Sequence, residues 1–190
     1  MYEAIRDPYC YPNSTVLRNR AELREAKALE DFELAFFTQR FEEGLPHGRL
    51  GVAHLRAIHR HLFQDVYEWA GQYRTVRIAK GGTMFCYPEN IASQLDELLG
   101  SLKSKKFLAG LSDREFAKAA AHVLADLNAI HPFRDGNGRT QMAFMSLVAQ
   151  RAGHEFDLAK IKPRPFLAAM IASFSGQEDD LETQLLALMQ

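Results

Sequence analysis

Apolar residues recur at three- and four-residue steps along most of this chain, and alternate at two-residue steps in only one short stretch. Leu23, Ala26, Leu29, Phe32, Phe36 and Phe37 share one helical face and predict a helix over about 20–43. Gly44-Leu45-Pro46-His47-Gly48 then interrupts the pattern. Leu55, Ile58, Leu62 and Phe63 predict a second helix over about 52–65. Further helices are expected over about 89–103, 112–130, 137–152, 163–174 and 179–189. Pro88 is a favourable helix start, and Ser112 with Glu115 three residues on is a capping box. The pattern predicts an all-α fold with a helical bundle at its centre.

Two regions depart from it. Residues 1–19 carry Pro8 and Pro12 among tyrosines, which excludes a continuous helix and suggests an arm packed on the body. Residues 73–87 are the one β candidate. Tyr73 to Ile78 and Thr83 to Cys86 read as short strands, with Ala79-Lys80-Gly81-Gly82 as the turn. Such a hairpin must lean on something else to be stable. It is either structural or a flap whose edge accepts an extended partner segment, with Lys80, Thr83 and Phe85 lining a site beneath it.

Composition adds limits. The chain has 190 residues, is 47% hydrophobic and 25% charged, and has a formal net charge of −1. This suits one domain over 1–190 and gives no footing for general nucleic-acid or membrane-surface binding. No apolar run is long enough for a membrane span. The first residues, Met1 to Asp7, contain no secretory-type apolar stretch. Cys10 and Cys86 are too few and too far apart for a disulfide framework, so a reducing cytoplasm is expected.

Most titratable candidates read as structural. His54, His59 and His61 lack the i, i+4 spacing and acid of a zinc helix, and His59 is expected to hydrogen-bond within the core. Cys86 has no assured basic partner, and His122 reads as structural. The stretch His131-Pro132-Phe133-Arg134-Asp135-Gly136-Asn137-Gly138-Arg139 differs, because its parts meet one chemical demand. Backbone N–H groups of Gly136, Asn137 and Gly138 at a helix start suit phosphate oxygens, and Arg139 adds a forked cation. Asp135 beside phosphates calls for a bridging divalent cation, for which Mg²⁺ is suited. His131 stands where it can take a proton from an incoming hydroxyl, and Phe133 pins the loop into the core. A nucleoside triphosphate with Mg²⁺ follows from these residues.

His131 to Arg139 resembles the motif of the Fic family, His-Pro-Phe-x-(Asp/Glu)-Gly-Asn-Gly-Arg-x-x-Arg, over its first nine positions. The segment from Leu55 to Gly71 resembles the family's region before the flap, Thr83-Met84-Phe85 resembles the flap, and Tyr9 to Asn19 resembles the start of short bacterial Fic toxins. The resemblance implies a mostly helical Fic-type fold with a β-hairpin flap, in a bacterial cytoplasm. It implies transfer of AMP from ATP to a hydroxyl of a target protein, as the toxin of a toxin–antitoxin pair. His131 is then the general base, Asp135 the Mg²⁺ ligand, and Gly136, Asn137, Gly138 and Arg139 the phosphate site, with the Asn137 side-chain amide contributing. Lys80, Thr83, Met84 and Phe85 dock the target, and the 131–142 segment forms the active-site loop and helix start. DNA gyrase or a topoisomerase IV subunit is the kind of target that the toxin subgroup suggests, and a small antitoxin the kind of regulator.

One departure stands out. Met142 occupies the position of the family's second arginine, and no (Ser/Thr)-x-x-x-Glu-(Gly/Asn) inhibitory motif occurs in the chain. Met142 is expected to face the same side of its helix as Arg139, leaving the γ-phosphate loosely held. The alternatives are transfer of another nucleotide or of phosphate, or a catalytically impaired nucleotide- or partner-binding module.

Overall fold

The structure is a computed structural model that describes residues 7–80 and 83–189. Seven α-helices account for most of it: α1 (Ala26–Glu42), α2 (Val52–Phe63), α3 (Ile91–Ser104), α4 (Asp113–Ile130), α5 (Asn137–Ala152), α6 (Pro163–Ser173) and α7 (Asp179–Leu188). Helix α4 lies at the centre and packs against α3, α5, α6 and α7, while α2 covers α5 and α1 covers α2. The capping box at Ser112 and Glu115 starts α4, and Phe116, Ala120, Leu124 and Leu127 form its inward stripe. They meet Leu55 and Ile58 of α2, Leu95 of α3, Phe144 and Val148 of α5, and Leu181 and Leu185 of α7, all fully buried in one contiguous apolar cluster. Burying such side chains is the main source of stability of a helical bundle. No helix among the described residues is long and apolar enough to cross a membrane.

Helix α1 begins six residues later than its apolar pattern predicts. The Asn19 side chain holds the preceding segment in a turn, donating to the carbonyls of Leu17 and Leu23 at 3.0 and 2.7 Å and accepting from the Leu23 N–H at 2.9 Å. Side-chain bonds of this kind compete directly with helix formation. Upstream, Cys10 and Leu17 form an isolated antiparallel bridge, and the Tyr9 ring meets the edge of Trp69 with centroids 5.7 Å apart. The described part of the N-terminal arm thus packs on the body.

Of the expected strands, 83–86 shrinks to two residues and 73–78 forms none; the pairing starts at Ala79–Lys80, residues expected in the turn. Ala79–Lys80 pairs antiparallel with Thr83–Met84, Ala79 opposite Met84. One further rung joins the Phe85 N–H to the Ile78 carbonyl at 3.2 Å, and other groups of the segment bond outside it. The N–H of Arg74 bonds the Pro132 carbonyl at 2.9 Å, and that of Cys86 bonds Ala129 at 3.0 Å. These groups tie 74–86 to the end of α4 and the residues just after it. The turn glycines Gly81 and Gly82, the first six residues, and the expected lining by the Lys80 and Thr83 side chains lie outside the described residues.

Candidate active site

Helix α4 must stop before Pro132, whose ring excludes a helical predecessor. It stops at His131, in the left-handed conformation with φ 47° and ψ 63°. Such a backbone is uncommon for a residue with a Cβ and costs roughly 1–2 kcal/mol. The His131 ring lies on the Phe85 ring, centroids 3.8 Å apart and planes 21° apart. Its Nδ1 is 3.2 Å from the Asn128 carbonyl. A carbonyl only accepts, so Nδ1 carries a proton, and the neutral form of the ring has its lone pair at Nε2. A groove of about 810 Å³ opens alongside, lined by Met84, Phe85, Tyr87, Ala129 and Ile130 among others.

The next residues fold into a tight knot. Asn137 is buried and returns to Phe133 twice, its Oδ1 accepting from the Phe133 N–H at 2.9 Å and its Nδ2 donating to the Phe133 carbonyl at 2.8 Å. The side-chain amide expected to face phosphates is therefore committed to holding the loop. Phe133 is buried and stacks on His59, centroids 3.8 Å apart. His59 accepts from the Gly71 N–H at Nδ1 (2.8 Å), so its Nε2–H donates to the Asp135 carbonyl (3.0 Å). Burial lowers the His59 pKa to about 3, keeping the ring neutral. The expectation of a core hydrogen-bonding histidine is met, and its acceptor is the loop itself.

Gly136 starts α5 with φ 75°. A Cβ there would meet the Phe63 ring at 2.5 Å, so both the backbone and the packing require glycine. At Gly138 a Cβ would meet nothing within 4 Å, and that side of the backbone is open to a ligand. The first intrahelical bond of α5 is Thr140 N–H to the Gly136 carbonyl, at 3.1 Å. The N–H groups of Asn137, Gly138 and Arg139 precede it and face out of the helix end, where the helix dipole favours an anion. Asp135 accepts the Gly136 N–H at 2.6 Å, and its side chain is half exposed.

Arg139 projects from this turn and donates to Glu33 of α1 at 2.6 Å, with its guanidinium 4.6 Å from the Phe63 ring centroid and 3.8 Å from Asp135. The other Glu33 oxygen accepts from the Tyr67 hydroxyl. Burial and the Glu33 charge push that phenol well above the usual tyrosine range. Arg134 binds Asp7 of the arm at 2.7–2.8 Å. Met142 stands one turn on from Arg139 in α5. It is buried in the core, so the position is an apolar wall. Groups of three or more potential metal ligands are absent among the described residues, which leaves Asp135 as a single carboxylate beside an anion site.

Sequence reasoning found the loop but missed Glu33, Asp7, Tyr67 and Arg74. Glu33 left a signal, because a carboxylate on the apolar face of Leu29, Phe32, Phe36 and Phe37 needs a buried cation. Nothing in the local pattern marked Asp7 as the partner of Arg134.

The Fic/DOC family model matches residues 49–149. Over 97% of this chain and 96% of the relative, the sequence is 49% identical to the probable protein adenylyltransferase y4lH of Sinorhizobium fredii. It is 36% identical to the protein adenylyltransferase VbhT of Bartonella schoenbuchensis, over 94% of this chain but only 38% of that longer protein. The fold is similar to the crystal structure of BepC from Bartonella tribocorum with bound AMPPNP, with TM-score 0.89, 28% identity and 96% of each chain covered. Its loop, its fold and these relatives together place the chain in the Fic/DOC family.

Proposed function

We propose that this chain, acting as one domain in a bacterial cytoplasm, transfers AMP from ATP to a hydroxyl side chain of a target protein. The observation that carries this reading is the convergence, within nine residues, of a histidine whose Nδ1 is bonded to a carbonyl and a helix N-terminus with three outward N–H groups. The relatives named protein adenylyltransferase at 36% and 49% identity support it.

In this reading the N–H groups of Asn137, Gly138 and Arg139 bind phosphate oxygens, in place of the Gly136 N–H expected there, which Asp135 takes, and the Arg139 guanidinium adds charge. The half-exposed Asp135 fits a cation shared with the ligand's phosphates, and Mg²⁺ would there neutralise charge on the transferring group. Nε2 of His131 takes the proton of the target hydroxyl as its oxygen bonds the α-phosphorus and pyrophosphate leaves. The short ladder at 79–84 presents an edge to which the target's main chain adds, and Met84 and Phe85 direct that segment over His131 into the adjoining groove. A toxin role, a small antitoxin partner and a gyrase or topoisomerase IV target belong to the same reading.

The test uses labelled ATP with bacterial lysate. AMP transfer marks proteins from α-labelled but not γ-labelled ATP. The reverse pattern would assign phosphate transfer. Calorimetric ATP binding with neither label incorporated would reduce the chain to a binding module.

A further inference from the structure

Arg74 is 2% exposed, among the most buried large side chains of the protein. Among the described residues its guanidinium donates to main-chain carbonyls alone. Nε bonds the His131 carbonyl at 2.8 Å, Nη1 bonds Val76 at 2.8 Å, and Nη2 bonds Cys86 at 2.5 Å and Ile130 at 3.2 Å. Its own N–H bonds Pro132 at 2.9 Å. One residue therefore holds three consecutive carbonyls, Ile130 to Pro132, around the left-handed turn at His131. With the same planar group it holds both legs of the segment that carries the short ladder, before it at Val76 and after it at Cys86.

Two physical features set this apart from packing. The last carbonyls of a helix lack intrahelical partners, and a cation among them is favoured by the helix dipole. An uncommon backbone conformation persists only where its surroundings over-determine it. His131 meets that condition through its own N–H to Leu127 and through Arg74 on its carbonyl and the next. A buried cation without a carboxylate is costly, and an apolar side chain would fill the space without that cost. What an apolar side chain lacks is a rigid fork that fixes the separation of His131 from the ladder segment.

We propose that Arg74 is a positioning residue for the transfer reaction. It holds His131 in its left-handed turn and sets the register between that imidazole and the strand on which the target segment lies. The catalytic part of this inference rests on the adenylyltransferase reading; the backbone part does not. Arg74 stands away from the helix start that takes the phosphates, so its loss affects the chemical step and spares nucleotide binding.

The experiment compares the intact chain with Arg74→Met and Arg74→Lys. Lysine keeps the charge but cannot span the same carbonyls. Carbon-13 histidine labelling, with His131 assigned by its loss in His131→Ala, gives Cα and Cβ shifts that report the sign of φ. Arg74→Met is expected to move the His131 shifts away from left-handed values, with Arg74→Lys between. ATP affinity by calorimetry stays within about twofold of the parent. Transfer from α-labelled ATP falls about 100-fold in Arg74→Met, as misplacement by about an ångström implies. If Arg74→Met does not fold, Arg74→Lys carries the test. Unchanged His131 shifts together with parental transfer in a folded variant would overturn the proposal, as would loss of ATP affinity in proportion to loss of transfer. A parent that transfers no AMP, with His131 shifts still displaced in Arg74→Lys, would sink the transferase reading and leave Arg74 as the residue that holds the turn.

Discussion

Glu33 and Arg139 lie 106 residues apart in sequence and meet at 2.6 Å. The carboxylate is more enclosed than the guanidinium, and Tyr67 holds its second oxygen. Glu33 therefore fixes the cation of the proposed phosphate site and also offsets its charge. Glu33→Gln keeps an acceptor for Arg139 and removes the negative charge. ATP affinity should rise by about fivefold, the equivalent of about 1 kcal/mol after solvent screening of a partly exposed pair. Calorimetry checks this, and unchanged or weaker binding would show that orientation of Arg139 outweighs its charge balance.

His131→Ala should lower transfer by at least about 100-fold, the usual contribution of a positioned general base. ATP binding should change little, since the phosphate-facing N–H groups belong to α5. Retained transfer in a radiolabel assay would remove His131 from its role.

The two glycines of the loop separate stability from binding. Gly136→Ala places a Cβ against the Phe63 ring and forces alanine into φ 75°. A loss of about 2–4 kcal/mol follows from strain and overpacking, lowering Tm by about 5–15 °C. Gly138→Ala meets nothing within 4 Å and should leave Tm unchanged or slightly higher. It should nonetheless weaken ATP binding about tenfold, because the methyl occupies the side of the backbone left open to a ligand. Thermal melts and titrations of both variants settle the distinction, and equal ATP affinity in Gly138→Ala and the parent would count against the phosphate site.

The buried His59 makes stability depend on acid. Its folded pKa, about 3, lies below its usual 6.5. Between these values the unfolded chain binds a proton that the folded chain refuses. The contribution is fully present above pH 6.5 and is lost as pH falls toward 3, with a slope approaching about 1.4 kcal/mol per pH unit. Denaturant titrations between pH 7 and 4 should show this slope, and His59→Gln, though less stable at pH 7, should flatten it. An equal slope in the variant would assign the acid sensitivity to other groups.

Helix periodicity was legible because the apolar residues recur at helical spacing, and α5 begins and ends where its pattern does. The loop was legible because its chemistry is contiguous. The rest depends on groups distant in sequence. The 73–78 strand was misread because its alternation is real but its N–H groups bond Pro132 and the Tyr9 hydroxyl, which no local pattern encodes. The start of α1 was misread because Asn19 captures the backbone ahead of it. The Asn137 amide was assigned to a ligand because its reciprocal bond with Phe133 arises only when the turn closes.

Five long-range partners of the 131–139 loop among the described residues have one more property in common. Asp7, Glu33, His59, Arg74 and Phe85 all precede it in the chain. In synthesis from the N-terminus the groups that will grip the loop leave the ribosome first, and the loop arrives last among them. It then closes onto groups already made, so its strained turn at His131 need never form unsupported. A nascent chain released before about residue 140 would carry every one of those grips and no α5 to close the site.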